Sequence, residues 1–197
     1  MTLAPRIRPD SWTEVLRLED FFEPGRPLEV DVGCGKGRFL TARAMAHPDV
    51  SFLGIDRLLV RIRKVAGKVS RHGLSNVRLL RIEAAYAVQY LLPPASVRTF
   101  YIFFPDPWPK RRHHRRRLFT PAFIDSLHRT MEPGALLHLA TDHLDYFTDI
   151  RALFDADARF HETAHFEPSE EERTDFERIF LSQSAPIGRC SFQRGRS

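Results

Sequence analysis

Five carboxylates stand where five apolar runs end. Asp31 sits in LEVDV just before GCGKG. Asp56 closes SFLGID, Glu83 follows NVRLLRI, Asp106 follows VRTFYIFF across Pro105, and Asp142 follows GALLHLAT. Acids gathered at one edge of a fold can bind a cationic group, accept hydrogen bonds from sugar hydroxyls and ring amines, and stabilise positive charge that develops during a reaction. Two of the five stand beside segments with chemistry of their own.

The first segment is Gly33-Cys34-Gly35-Lys36-Gly37, after a strand pattern and before a helical one. Glycines let a ligand approach the backbone closely. Lys36 is followed by glycine rather than Ser or Thr, so the loop is not a P-loop. The GxGxG spacing also departs from the GxGxxG dinucleotide fingerprint. Asp31 disfavours a pyrophosphate and favours a cationic or neutral nucleoside. S-adenosylmethionine fits: Asp31 with Gly33 and Gly35 would meet its amino-acid end, Asp56 the ribose hydroxyls, and Glu83 the adenine side. The plainer reading is a tight turn with no ligand.

The second segment is Pro105-Asp106-Pro107-Trp108-Pro109, which runs into Lys110-Arg111-Arg112-His113-His114-Arg115-Arg116-Arg117. Prolines stiffen the backbone around Asp106. The cationic run suits a phosphate backbone. Arg111, Arg112, Arg115, Arg116 and Arg117 are the expected phosphate contacts, with Asp106 left to meet the base. Trp108 would either stack on a base or cofactor or anchor the loop in the core. A second basic face is carried by Arg57, Arg61, Lys64, Lys68 and Arg71, one stripe of a helix over 57–73. It reads as RNA-facing or as an ordinary solvated face.

These residues need a scaffold. Apolar runs and helical periods alternate along the chain: strands over 27–32, 51–56, 76–82, 97–104 and 134–141, and helices after each, over 38–48, 57–73, 84–92, 121–131 and 143–156. That alternation predicts an α/β fold with a doubly wound, mostly parallel sheet, ligands lying at the carboxyl ends of its strands. Segments 159–166 and 187–193 read as an antiparallel C-terminal pair. Residues 1–26, with Pro5, Pro9 and Pro24, read as an N-terminal arm with one helical turn possible between Trp12 and Phe22. Residues 27–197 form one domain.

Bulk properties narrow the class. The 197 residues carry a formal charge of +5, which favours polyanionic partners. Two cysteines are too few for a disulfide framework or a four-cysteine zinc site, so no metal is expected. No secretory leader and no membrane-length apolar run is visible, and a cytoplasmic protein is the expectation.

DVGCGKGRFL, FLGID, FFPDPWPKRRHHRRRL, LHLATDHLDY and TDFE with ERIFLSQSAPIGRCSF resemble the bacterial tRNA (guanine-N7-)-methyltransferases over residues 27–193. The resemblance implies a Rossmann-like S-adenosylmethionine-dependent methyltransferase acting on guanosine N7 at position 46, in the tRNA variable loop. It implies cofactor contacts at Asp31, Asp56, Glu83 and Asp106, and substrate contacts at Lys110, Asp142 and Thr174-Asp175-Phe176-Glu177. Asp175 stands where the family has lysine, which reverses a charge. Thr174 and Glu177 also read as a helix capping box. Asp106 is the expected catalytic residue. The partner is tRNA, with no membrane and no obligate protein partner; the chain acts as a monomer or homodimer.

Two other activities stay open at this stage. One is methylation of an exocyclic base amine, although Asp106-Pro107-Trp108 lacks the second consecutive proline of that motif. The other is a non-catalytic RNA-binding module with a relic cofactor loop.

Overall fold

The computed structural model describes residues 5–196. A seven-stranded sheet runs in the order β3-β2-β1-β4-β5-β7-β6. Its strands are β1 (Leu28–Val32), β2 (Ser51–Ile55), β3 (Val77–Leu80), β4 (Val97–Phe103), β5 (Met131–Thr141), β6 (Phe160–Thr163) and β7 (Gly188–Arg194). β1 pairs in parallel with both β2 and β4, and β4 pairs in parallel with β5. β7 runs antiparallel to both β5 and β6. The strand order therefore reverses between β1 and β4. This is where an open α/β sheet leaves a crevice at its carboxyl edge.

The central strands are buried on both faces, as crossover helices require. β1 and β2 contain no exposed residue. Helices α1 (Arg38–Ala46) and α2 (Leu59–Arg71) cover one face, where Leu40, Ala44, Ile62, Val65 and Val69 pack on Phe52, Val77 and Leu79. The other face carries Val30, Leu53, Ile55, Phe100 and Ile102. It is covered by α3 (Ala84–Tyr86) with the π turn Ala87–Leu91, by α4 (Pro121–Thr130) and by α5 (Leu144–Asp155). Each fully buried aliphatic or aromatic side chain contributes about 1.5–3 kcal/mol of transfer free energy. α6 (Asp175–Ser182) precedes β7.

The residues before β1 pack on this domain. Ile7 donates its N–H to the Leu79 carbonyl and Leu79 donates to that of Pro5, a parallel bridge beside β3. The helical turn expected between Trp12 and Phe22 is a single 3-10 turn, Leu18–Asp20.

Three elements differ from the sequence expectation. The strand expected over 159–166 is shorter, Phe160–Thr163, and the chain leaves the sheet after it. β5 begins at Met131 rather than 134, because Met131 pairs with Val97 ahead of a register shift in β4. The helix expected over 84–92 widens to a π turn after Tyr86.

Candidate active site

The glycine loop is shaped by backbone conformation before any side chain acts. Gly33, Gly35 and Gly37 have φ of 79°, 54° and 70°, in the left-handed region that a side chain disfavours. At Gly37 an added Cβ would also meet Val65 Cγ1 of α2 at 2.6 Å. The loop can therefore lie flat against α2 only because this position is glycine. The Gly33 and Cys34 N–H groups donate to the Ile55 carbonyl, which ties the loop to β2.

Asp56, at the end of β2, is buried and accepts three N–H groups. They are Gly35 N (3.2 Å), Leu58 N (2.8 Å) and Arg61 Nη1 (3.2 Å). One carboxylate thus joins the glycine loop to the start of α2. Asp31 differs. It is 5 % exposed and, among the described residues, receives no hydrogen bond from the protein. Burial, and secondarily the charge of Asp56, pushes its carboxyl up to about 7. A cationic ligand would relieve both effects. Cys34, between them, is buried, and burial pushes its thiol well up. Glu83 caps α3 through one oxygen, which accepts Tyr86 N–H at 3.0 Å, and leaves the other free.

After β4 the chain turns sharply. Phe104 still donates its N–H to the Ala140 carbonyl at 2.7 Å, but its φ is +54°, and Trp108 follows at +44°. A non-glycine residue held in this region costs about 1–3 kcal/mol. The turn carries Asp106 over the crevice with its side chain 72 % exposed and 4.0 Å from Arg57. Trp108 is half-buried, with the Arg116 guanidinium 5.0 Å above its ring.

The segment 164–174, which we call the strap, reaches the cavity at Thr174. Phe166 packs among Phe39, Tyr101, Phe103 and His138. Glu172 accepts Arg43 Nη1 at 3.0 Å, and the Arg173 carbonyl accepts Arg38 Nε at 3.0 Å. Arg43 also reaches Tyr101 Oη (3.1 Å), which donates to Glu29 (2.8 Å). Burial, then Arg43, lowers His138 to about 4, and its Nδ1 lies 2.7 Å from Ser191 Oγ. The strap ends at Thr174, whose hydroxyl caps α6 by accepting Glu177 N–H at 3.0 Å.

These pieces enclose a cavity of about 650 Å³. Of the expected site residues, it brings together Asp31, Gly33, Gly35, Asp56, Glu83, Asp106, Thr174, Asp175, Phe176, Arg115, Arg116 and Arg117. Lys110, Arg111 and Arg112 are exposed beside it, and Asp142 does not line it. Two expectations need correction. Arg117 borders the cavity but its guanidinium is turned inward: Nε donates to the Pro107 carbonyl (2.9 Å), Nη1 to Asp149 (2.6 Å), and the group covers the Tyr146 ring. Its side chain is 8 % exposed and braces the loop, so it is not free to hold a phosphate. Glu177 is 1 % exposed and paired with Arg189 instead of facing a substrate. It also does not complete a capping box, because its carboxylate goes to Arg189.

Sequence reasoning did not single out Arg38, Phe39, Phe103 and Phe104, all of which line the cavity. The first two directly follow the glycine loop, and that position was the available signal. Among the described residues no group of His, Cys, Asp and Glu could hold a metal ion.

The donor set fits S-adenosylmethionine. An unpartnered buried carboxylate suits its ammonium. The backbone at Gly33 is open, with nothing within 4 Å of where a Cβ would stand. The cavity volume is in the range of small-molecule sites.

Comparison with known proteins agrees. A family model described as "Putative methyltransferase" matches residues 25–189. A tRNA (guanine-N(7)-)-methyltransferase of Nitrosococcus oceani is 36% identical over 193 residues, covering 98% of this chain and 82% of the relative. One of Halorhodospira halophila is 40% identical over 149 residues, covering 76% of this chain and 64% of the relative. The crystal structure of the 16S rRNA methyltransferase KamB superposes with a TM-score of 0.68 at 17% identity, covering 92% of this chain and 95% of that one. At that identity the likeness concerns the fold.

Proposed function

Because this chain belongs to the tRNA (guanine-N(7)-)-methyltransferase family, we propose that its cavity methylates guanine N7 of tRNA, at position 46 in the variable loop, with S-adenosyl-L-methionine as methyl donor. One observation carries the reading. A single cavity joins a buried carboxylate without a protein partner among the described residues, Asp31, to an exposed one, Asp106, and Arg115 and Arg116 line the same cavity. A cation fits at the first, a base at the second, and phosphates at the arginines.

Asp31 holds the ammonium of the methyl donor, and the Gly33–Gly35 backbone lies beside it. Asp56 accepts ribose hydroxyls on the lone pairs its three N–H partners leave, and the free oxygen of Glu83 faces the adenine. When bound, S-adenosylmethionine supplies an electrophilic sulfonium methyl. Guanine N7 offers a lone pair and carries no proton, so no base is needed at that atom. Orientation supplies much of the acceleration. The purine becomes cationic as it is methylated. Asp106 stabilises that charge and accepts hydrogen bonds from guanine N1–H and the exocyclic amine. Its contact with Arg57 is a long, exposed pair that a substrate replaces at little cost. Thr174, Asp175 and Phe176 form the base-side wall.

Lys110, Arg111, Arg112, Arg115 and Arg116 meet the RNA backbone. Two buried free cysteines accord with a reducing cytoplasm, where tRNA is found. The test is incubation with labelled S-adenosylmethionine and unmodified tRNA, followed by nucleoside analysis. We expect 7-methylguanosine as the labelled product. Label in an exocyclic-amine product, or none, would overturn the reading.

A further inference from the structure

From Arg57 to Ile82 the chain contains no Asp or Glu, yet it carries Arg57, Arg61, Arg63, Lys64, Lys68, Arg71, Arg78 and Arg81. Four of these, Arg61, Lys64, Lys68 and Arg71, fall on one stripe of α2, and Arg57 extends the stripe just ahead of the helix. Cations three and four positions apart on a helix repel one another. Their placement also opposes the helix dipole at one end. Lys68 and Arg71 occupy the last turn, where cations help, but the first turn holds Arg61 and no acid, and Leu58 provides no side-chain cap. A helix arranged for its own stability would carry its charges differently.

The stripe also has few partners. Arg57 and Arg61 contact Asp106 and Asp56 at the cavity. Lys68 donates to the Lys36 carbonyl of the glycine loop. Lys64 and Arg71 are exposed, and among the described residues no carboxylate pairs with them. The opposite face, Ile62, Val65 and Val69, is buried, so the orientation of the stripe is fixed by the core. At 1.5 Å per residue, α2 carries this stripe about 20 Å from the cavity mouth. Arg57 and Arg61 border the same cavity as Arg115 and Arg116, so two basic walls meet at one opening.

We propose that α2 is a second RNA-backbone surface, which receives the strand on the far side of the reacting nucleoside from the 110–116 turn. The inference rests on the tRNA reading above and extends it: the substrate is held on both flanks of the cavity. The two walls then divide the backbone between them, and the nucleoside at the opening is the one presented to Asp106.

The experiment uses the full chain with Lys64→Gln and Arg71→Gln combined, Arg63→Gln as an exposed cation off the stripe, and Arg111→Gln with Arg112→Gln for the other wall. tRNA affinity is measured against salt concentration. Each lost phosphate contact reduces the slope of log K against log salt by about 0.7–0.9. The Lys64/Arg71 variant should lose about 1.5 from the slope, with kcat at saturating tRNA and cofactor affinity unchanged, and Arg63→Gln should stay close to the parent. An unchanged slope in the Lys64/Arg71 variant, or an equal loss per charge in Arg63→Gln, overturns the proposal. The nucleoside methylated by the unaltered enzyme is identified separately, so a wrong base assignment appears there and leaves the slope result standing.

Discussion

Arg43 of α1 and Glu172 of the strap are 129 positions apart in the chain and 3.0 Å apart in space. α1 starts at the glycine loop, and the strap ends at Thr174 on the base-side wall. The pair therefore ties the two halves of the cavity to one helix. Arg43→Ala should destabilise the fold by about 3 kcal/mol, because the mostly buried Glu172 is left without its cation and Glu29 keeps only Arg98. Thermal unfolding should show this as a fall of about 10 °C in Tm. Glu172→Gln keeps an acceptor for Ser169 N–H and should raise KM for tRNA while cofactor affinity holds. Equal loss of both affinities would mean that the pair serves stability alone.

Asp31 predicts the pH dependence of the ligand-free enzyme. Folded, it keeps its proton up to about pH 7; unfolded, it ionises near its ordinary value of 3.8. The folded state thus binds the extra proton between these values, and stability falls as pH rises through that window, by up to roughly 4 kcal/mol. Urea unfolding of Asp31→Asn should lack this decline and show a more stable protein at pH 8. Cofactor binding acts in the other direction. It draws Asp31 into its ionised form, so calorimetry at pH 6 should detect proton release that disappears in the variant. A parallel decline in both proteins would count against Asp31 as the buried acid.

Asp106→Asn tests charge stabilisation at the base. The side chain is exposed, so the fold should tolerate the change. Loss of a preorganised electrostatic contact to a developing charge lowers turnover by about 100-fold. Methyl transfer should fall by that order while tRNA affinity stays within a few-fold. Near-normal turnover would remove Asp106 from the chemistry.

Arg117 and its neighbours should separate cleanly. Arg117→Ala removes the brace from the Pro107 carbonyl to Asp149 and should cost about 2 kcal/mol. It should reduce turnover through a loosened Asp106 loop and leave the salt dependence of tRNA binding intact. Arg111→Ala with Arg112→Ala should do the reverse, flattening the salt slope with stability unchanged. A flattened slope for Arg117→Ala would restore it to the RNA contacts.

The alternation of apolar runs and helical periods was enough to read the parallel sheet, because the central strands are buried on both faces and most crossovers carry a helical period. The acids at the strand ends followed from that topology. Asp31, Asp56, Glu83 and Asp106 do meet at one cavity. Asp142 obeys the same rule and stays outside it, since β5 is one strand further from the switch point. Arg117 was not separable from the arginines before it. Which side chain of a charged run turns inward depends on Asp149 and Tyr146 of α5, far along the chain. Glu177 was misplaced for a similar reason, as its partner Arg189 lies on β7. The strap carries no period at all, and its course is set by Phe166 and Glu172 finding pockets built by other elements.

The bridge between Arg6 and Leu79 has a consequence outside catalysis. β3 is the outermost strand on its side of the sheet, and its unpaired N–H and C=O groups would form a template for another chain. The arm occupies that template with its own backbone and lays Ile7 and Leu16 over the neighbouring apolar surface. A chain lacking the arm would keep every cavity residue, since these begin at Asp31. Its failing would be colloidal: it would self-associate through the bared strand before a loss of methyl transfer could be measured.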